Sequence, residues 1–205
     1  MPDSQEALKR LKDGNKRFLS GGHSLSALDL ERIRGELLEG QHPFAVIVSC
    51  SDSRVPPSLV FDQDLGELFV IRVAGNVVGP SQTASVEYAV EMLGTSLVVV
   101  LGHTGCGAIA AACRAIMDPE VHYSPSMDML VSRISEAVEN NDAFDAAGTE
   151  EEKCRIAGIA NVEHAIENLV TYSDIIRSAV EADKVRLVGA EYDMVSGIVR
   201  WFDEE

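Results

Sequence analysis

The 205-residue sequence has few basic residues and no apolar run long enough to cross a membrane. A membrane-spanning helix needs about 20 consecutive apolar residues, and no stretch approaches that length. Residues 1–10 carry charged side chains instead of the apolar core of a signal peptide. With 17 Lys and Arg against 33 Asp and Glu, the formal net charge is −16. This charge argues against nucleic acid and anionic membranes as partners. We therefore expect a cytoplasmic protein.

Internal repeats and long linkers are also missing from the chain. Its length predicts one domain, residues 1–205, with a continuous hydrophobic core. Four cysteines in such a chain are expected to be reduced thiols. Cys113 and Cys154 have ordinary surroundings, so we predict that they are core residues. Cys50 and Cys106 have unusual neighbours and need another explanation.

Short runs rich in β-branched residues alternate with helical patterns along the chain. The predicted strands are residues 44–49, 68–72, 97–101 and 185–189. The predicted helices are residues 4–19, 83–93, 106–117 and 150–180, the last broken near Tyr172. This alternation predicts an α/β domain whose central sheet of four strands is mostly parallel, with helices on both sides. Residues 197–201 are predicted to add an edge strand, and residues 119–125 and 141–148 are predicted to be loops.

Two short motifs follow predicted strands, at the edge of the sheet where open α/β folds build their sites. The first is the block Cys50-Ser-Asp-Ser-Arg54, and the second is the block His103-Thr-Gly-Cys106. Two cysteines and one histidine can hold zinc and leave its fourth tetrahedral position open, as catalytic zinc sites do. Glycines at 102, 105 and 107 allow the backbone to turn sharply around the second motif. The pattern predicts a catalytic metal site.

Asp52 and Arg54 lie within the first motif and can be interpreted in two ways. An Asp and an Arg two residues apart commonly form an ordinary ion pair. Beside a metal, a carboxylate held by a bidentate guanidinium is kept away from the ion. It can then accept a proton from water at the metal and orient the resulting hydroxide. If the pair broke, Asp52 would be able to close the site as a fourth ligand.

The sequence resembles the β-class carbonic anhydrases. The resemblance extends from Gln41 to Tyr192 and rests on three blocks, namely residues 50–54, 66–76 and 102–107. It implies one Zn²⁺ per subunit, bound by Cys50, His103 and Cys106. The implied reaction is the reversible hydration of CO₂ to bicarbonate and a proton by attack of zinc-bound hydroxide, with Asp52 and Arg54 as the catalytic pair. Two thiolates donate more charge to zinc than imidazoles do and should leave the bound water less acidic, so activity is expected to rise towards alkaline pH.

The resemblance also implies an assembly and a substrate pocket. The assembly is a homodimer at least, or a tetramer or octamer built from it. A helical arm of residues 1–40 would pack on a partner subunit, and residues 41–205 would form the zinc-binding core. The pocket is implied at Gln41, Phe69, Ala74, Tyr88 and Gly107, with Gln41 bonding the substrate oxygen. Ala74 is smaller than the valine often found there, so the pocket is expected to be slightly roomier.

Some members of this family are inhibited by bicarbonate bound to a tryptophan, an arginine and a tyrosine. The arginine and the tyrosine match Arg72 and Tyr192, but Ile47 occupies the tryptophan position, and the only tryptophan is Trp201. We therefore expect an open site at neutral pH, with three protein ligands and Asp52 paired to Arg54.

Three alternatives remain at this point. A related zinc hydrolase acting on carbonyl sulfide or carbon disulfide would use the same ligand pattern. A protein with structural zinc would need a fourth ligand, for which Cys113 and Cys154 provide no pattern. A nucleotide-binding α/β protein would need a glycine fingerprint after the first strand, where the chain has Cys-Ser-Asp-Ser-Arg instead.

Overall fold

A computed structural model describes residues 1–22, 35, 38 and 40–202. Its centre is a 5-stranded sheet in the order β2-β1-β3-β4-β5. The first four strands of this order are parallel, and β5 runs antiparallel to β4. The strands are β1 (Ala45–Cys50), β2 (Leu68–Val73), β3 (Leu97–His103), β4 (Arg186–Tyr192) and β5 (Val199–Trp201). The predicted α/β class, the mostly parallel sheet and the added edge strand are confirmed.

Helices connect the strands and cover both faces of the sheet. In the described residues they are α1 (Ser4–Ser20), α2 (Pro57–Val60), α3 (Pro80–Glu91), α4 (Gly107–Met117), α5 (Pro125–Glu136), α6 (Asp142–Ala146), α7 (Glu150–Tyr172) and α8 (Asp174–Glu181). The long predicted helix is interrupted at Ser173, whose side chain accepts a hydrogen bond from the backbone N–H of Ile176 and caps α8. Of the described helices, none is both long and apolar enough to span a bilayer.

Alternate residues of the central strands pack into two hydrophobic cores, one on each face of the sheet. On one face, Ile47 and Val99 pack with residues of α1, α4 and α5. On the other face, Val46 and Val98 pack with residues of α3, α8 and the second half of α7. Strands β1 and β3 are buried along their whole length. Strands that are covered on both faces consist of continuous apolar residues, and for this reason β1 and β3 could be predicted from the sequence.

Helix α1 lies within the predicted arm of residues 1–40 and packs on the core of its own chain. The packing of this arm on a partner subunit stays a prediction. Leu8 and Leu11 are buried in that core, and Asn15 donates hydrogen bonds to the carbonyl oxygens of Val60 and Gly197. Leu8 and Leu11, which belong to the apolar stripe of α1, are thereby buried within one chain. Residues 23–34, 36, 37 and 39 of the predicted arm lie outside the described residues.

Three described helices were not predicted, and the first is the short helix α2 at Pro57–Val60. Helix α5 begins at Pro125, which is the last residue of the predicted loop of residues 119–125. Helix α6 lies inside the predicted loop of residues 141–148, where the Asn141 side chain accepts the N–H of Phe144 and caps it. Phe144 then packs into the core. A helix this short has little periodicity of its own, and tertiary packing stabilises it.

Candidate active site

The two predicted motifs meet at the carboxyl edge of the sheet. Cys50 is the last residue of β1 and His103 is the last residue of β3, so each lies at a strand end and not just beyond it as predicted. Strands β1 and β3 are parallel neighbours, which brings their carboxyl ends together. Cys106 immediately precedes α4 and occupies its N-cap position. The sheet order therefore assembles three side chains from distant parts of the sequence.

The three side chains form a compact group suited to a metal ion. Their potential ligand atoms all lie within 4.8 Å of one another, and the Sγ atoms of Cys50 and Cys106 are 4.0 Å apart. All three residues are buried. The Nδ1 atom of His103 lies 3.0 Å from the carbonyl oxygen of Thr104, whereas its buried Nε2 atom has no hydrogen-bond partner in the described structure. An imidazole held by one nitrogen and free at the other is what a metal ligand requires.

The local charges also suit a cation. Cys50 Sγ lies within hydrogen-bond distance of Cys106 Sγ. It also accepts hydrogen bonds from the backbone N–H groups of Asp52, at 3.4 Å, and Gly75, at 3.3 Å. The hydrogen bond with Cys106 is the largest influence lowering the pKa of the Cys50 thiol to about 4, and burial opposes it. The same hydrogen bond and burial raise the pKa of Cys106. Thiols bind a divalent cation as thiolates, so a metal ion at this pair would be bound with release of protons.

Asp52 and Arg54 form a two-pronged ion pair beside this group. Arg54 Nε donates to Asp52 Oδ1 at 2.9 Å, and Arg54 Nη2 donates to Asp52 Oδ2 at 2.7 Å. The hydrogen bond from the guanidinium holds the pKa of the Asp52 carboxyl well below its usual range. Asp52 Oδ2 lies 4.0 Å from His103 Nε2. The carboxylate is therefore ionised, oriented by the guanidinium and adjacent to the proposed metal position.

Arg72 fixes the backbone of the first motif. Its Nε donates to the carbonyl oxygen of Cys50 at 2.9 Å, and its Nη2 donates to the carbonyl oxygen of Asp52. Ile47 is fully buried in the core, and Tyr192 is also buried. The guanidinium that would belong to the bicarbonate site is thus occupied by backbone carbonyls in this structure.

The residues proposed for the substrate pocket lie at the surface of the single chain. Gln41 is exposed and Tyr88 is about half exposed. The rings of Phe69 and Tyr88 contact each other with centroids 6.1 Å apart. Ala74 precedes Gly75, which contacts Cys50, and Gly107 follows Cys106 at the start of α4. The structure thus brings Ala74 and Gly107 next to ligand residues, and the pocket assignment stays a prediction.

A cavity of about 380 Å³ that the sequence did not indicate lies next to the proposed metal site. His103 and Cys106 contribute to its wall together with Cys154, Arg155 and Glu191. Cys154 is therefore only partly a core residue, unlike Cys113, which is fully buried. Burial raises the pKa of Glu191. No sequence motif marks this group, because Glu191 comes to the cavity only through the pairing of β4 with β3.

A buried Cys–His–Cys group, open beside an oriented carboxylate at the carboxyl edge of a parallel sheet, defines an α/β metalloenzyme. Comparisons with known proteins narrow this class. A sequence profile described as carbonic anhydrase matches residues 45–199. A carbonic anhydrase of Mycolicibacterium smegmatis is 35% identical over 201 residues, which cover 97% of this chain and 94% of that protein. Carbonic anhydrase 2 of Mycobacterium tuberculosis H37Rv is 35% identical over 93% of this chain and 89% of its own length.

Solved structures show the same fold. A tetrameric β-carbonic anhydrase from Sordaria macrospora aligns with a TM-score of 0.76 and 26% identity, covering 88% of this chain and 90% of that chain. The chain therefore belongs to the carbonic anhydrase family, in its β class, whose members are zinc enzymes that hydrate CO₂. The predicted family, zinc cofactor and reaction are confirmed at this level.

Proposed function

We propose that this chain hydrates CO₂ reversibly at the group formed by Cys50, His103 and Cys106. The observation that carries the proposal is this buried trio, with ligand atoms within 4.8 Å of one another and an ionised Asp52 beside it. The two sulfurs and the free Nε2 of His103 would hold one Zn²⁺. When bound there, zinc would act as a Lewis acid and make water a nucleophile near neutral pH.

Asp52 and Arg54 orient the proton of the attacking water. Asp52 can take up a proton only when it is ionised, and its bidentate contact with Arg54 keeps it ionised. The backbone N–H of Arg54 also donates to Asp52 Oδ1, at 2.9 Å. Oδ1 therefore accepts two hydrogen bonds from Arg54, whereas Oδ2 accepts one and lies 4.0 Å from His103 Nε2. We propose that Oδ2 is the atom that receives the proton, and that Arg54 prevents Asp52 from moving onto the metal.

We propose that Gln41, Phe69, Ala74, Tyr88 and Gly107 hold CO₂ against the site. This proposal needs a second copy of the chain. Gln41 and Tyr88 are exposed in the single chain, so they provide an enclosed apolar pocket only when another subunit covers them. The tetramer formed by the Sordaria relative supports a homo-oligomer. A cytoplasmic location is supported by the four cysteines, which are all free thiols.

Stopped-flow CO₂ hydration from about pH 6.5 to 9, with zinc content measured on the same sample, tests the function. We expect about one zinc per chain and a rate that increases towards alkaline pH. Carbonyl sulfide is assayed in parallel, because a related hydrolase would share the ligands. A carbonyl sulfide rate far above the CO₂ rate would contradict the proposal.

A further inference from the structure

Gly75 lies in a turn that places its backbone against the sulfur of Cys50. Residues 74–76 form a short turn after β2, in which Gly75 has φ of +66° and Asn76 has φ of +45°. A Cβ atom at Gly75 would lie 3.0 Å from Ile134 Cδ1 and 3.1 Å from Ala108 Cβ. Glycine adopts this conformation without steric cost, but the left-handed conformation of Asn76 is unfavourable and persists only where the surrounding structure holds it.

The Asn161 side chain holds this turn. Asn161 lies on α7, is only 2% exposed, and donates from Nδ2 to the carbonyl oxygen of Gly75 at 2.7 Å. The N–H of the same glycine donates to Cys50 Sγ at 3.3 Å. Gly75 is therefore anchored at its carbonyl by Asn161 and contacts the proposed metal ligand with its amide. The hydrogen bonds link α7 to the sulfur through a single residue.

We propose that Asn161 is a positioning residue of the metal site, acting through Gly75 on Cys50. The inference rests on the proposed metal site. An N–H donated to a thiolate withdraws electron density from the sulfur and fixes its direction, as hydrogen bonds around a metal ligand do. Without Asn161, the carbonyl of Gly75 would lose its buried donor, the turn would relax, and the N–H would move away from Cys50. The sulfur would then be less well placed and richer in electrons.

The test is the Asn161→Leu variant, which keeps the approximate size of the side chain and removes its donor. The full chain is prepared with cobalt(II) in place of zinc, and the near-ultraviolet thiolate-to-cobalt absorption is recorded. We expect this band to move to longer wavelength, because an electron-rich sulfur transfers charge more easily. We also expect zinc release to a chelator to be about 10-fold faster. Asn161→Ala, which introduces no larger side chain, serves if the leucine variant does not fold, and the same shift is expected.

A matched control separates positioning from general destabilisation. Asn15 is also buried and donates from Nδ2 to the backbone carbonyls of Val60 and Gly197, but it lies on α1. Asn15→Leu should lower the melting temperature of the metal-free protein while leaving the cobalt band in place. An unchanged band in the Asn161 variants, or the same shift in Asn15→Leu, overturns the inference. If the unaltered protein shows no thiolate-to-cobalt band at all, the proposed metal site itself is wrong.

Discussion

The proposed active site has a buried half and an exposed half. The proposed ligands Cys50, His103 and Cys106 are 4%, 5% and 6% exposed. By contrast, Gln41 and Arg54 are exposed, and Tyr88 is 48% exposed. The buried half is complete within one chain, because sheet pairing and a helix N-terminus assemble it. The exposed half needs something to cover it.

This difference shows that binding the metal and using it place different demands on the fold. A group of thiolates with hydrogen-bond donors can be assembled by folding alone, since its partners are backbone N–H groups of the same chain. An apolar pocket for a small gas must exclude water, and the exposed side chains do not achieve this by themselves. Variants in the two halves should therefore have separable effects on metal content and on rate.

The largest effect is expected from Cys50→Ala in the buried half. Removing one of three ligands should abolish zinc binding and reduce CO₂ hydration to the background rate. Elemental analysis and stopped-flow assays of the same sample measure both. Cys113→Ala is the matched control, because Cys113 is fully buried and burial raises the pKa of its thiol to about 12. The control should retain zinc and lose about 1 kcal/mol of stability. Zinc loss in the control would contradict the assignment of ligands.

Asp52→Asn should separate the metal from the rate. The asparagine keeps the size of the side chain but removes the carboxylate that accepts the proton, so we expect the rate to fall about 10²- to 10⁴-fold. Zinc content should remain near that of the unaltered protein. Asp13→Asn provides a control, since Asp13 forms ion pairs with the exposed residues Lys9 and Lys16. Full activity in Asp52→Asn would remove Asp52 from the mechanism.

Acid should break the Asp52–Arg54 contact. Because the folded-state pKa of Asp52 is lowered, the ion pair contributes stability above the unfolded pKa, about 3.9, and loses it as the pH falls through the folded value. Urea unfolding of the metal-free protein at several acidic pH values measures this contribution. The free energy of unfolding should depend less on pH in Asp52→Asn than in the unaltered protein. Equal pH dependence in both proteins would show that the contact is absent in solution.

Tyr88→Ala tests the exposed half and should have a smaller effect. Loss of one pocket wall is expected to lower kcat/KM about 10-fold while zinc content stays constant. Met92→Ala is the control, because Met92 is also exposed and follows the same helix. Size-exclusion chromatography of both variants shows whether assembly is retained. Equal losses in the two variants would indicate a general surface effect and remove Tyr88 from the pocket.

The smallest effect is expected from Glu191→Gln, in the cavity next to the proposed metal site. Burial raises the folded-state pKa of Glu191 above its unfolded value, so the folded protein loses stability relative to the glutamine variant as the pH rises above about 4.3. Glu191→Gln should therefore melt higher than the unaltered protein near pH 8. The difference should vanish near pH 4. Glu139 is exposed and supplies the control. An identical rise of the melting temperature in Glu139→Gln would contradict the explanation by burial of Glu191.

Much of the fold could be predicted because β1 and β3 are continuous apolar runs bounded by turns. Helix α5 was missed entirely, and Pro125 at its first turn was interpreted as a loop residue. The contacts of Asn15, which hold α1 on the chain's own core, were also not predicted. Long-range hydrogen bonds of this kind leave no periodic signal in a sequence.

The sequence by itself determined the family, the parallel sheet and the three residue types that can hold zinc. Their side-chain chemistry and their positions at strand ends are local properties. Only the tertiary structure decided that Arg72 binds the carbonyl oxygens of Cys50 and Asp52, and that Asn161 reaches Cys50 through Gly75. These contacts join residues 20 or more positions apart. They depend on how the helices and strands pack, and side-chain chemistry alone does not specify that packing.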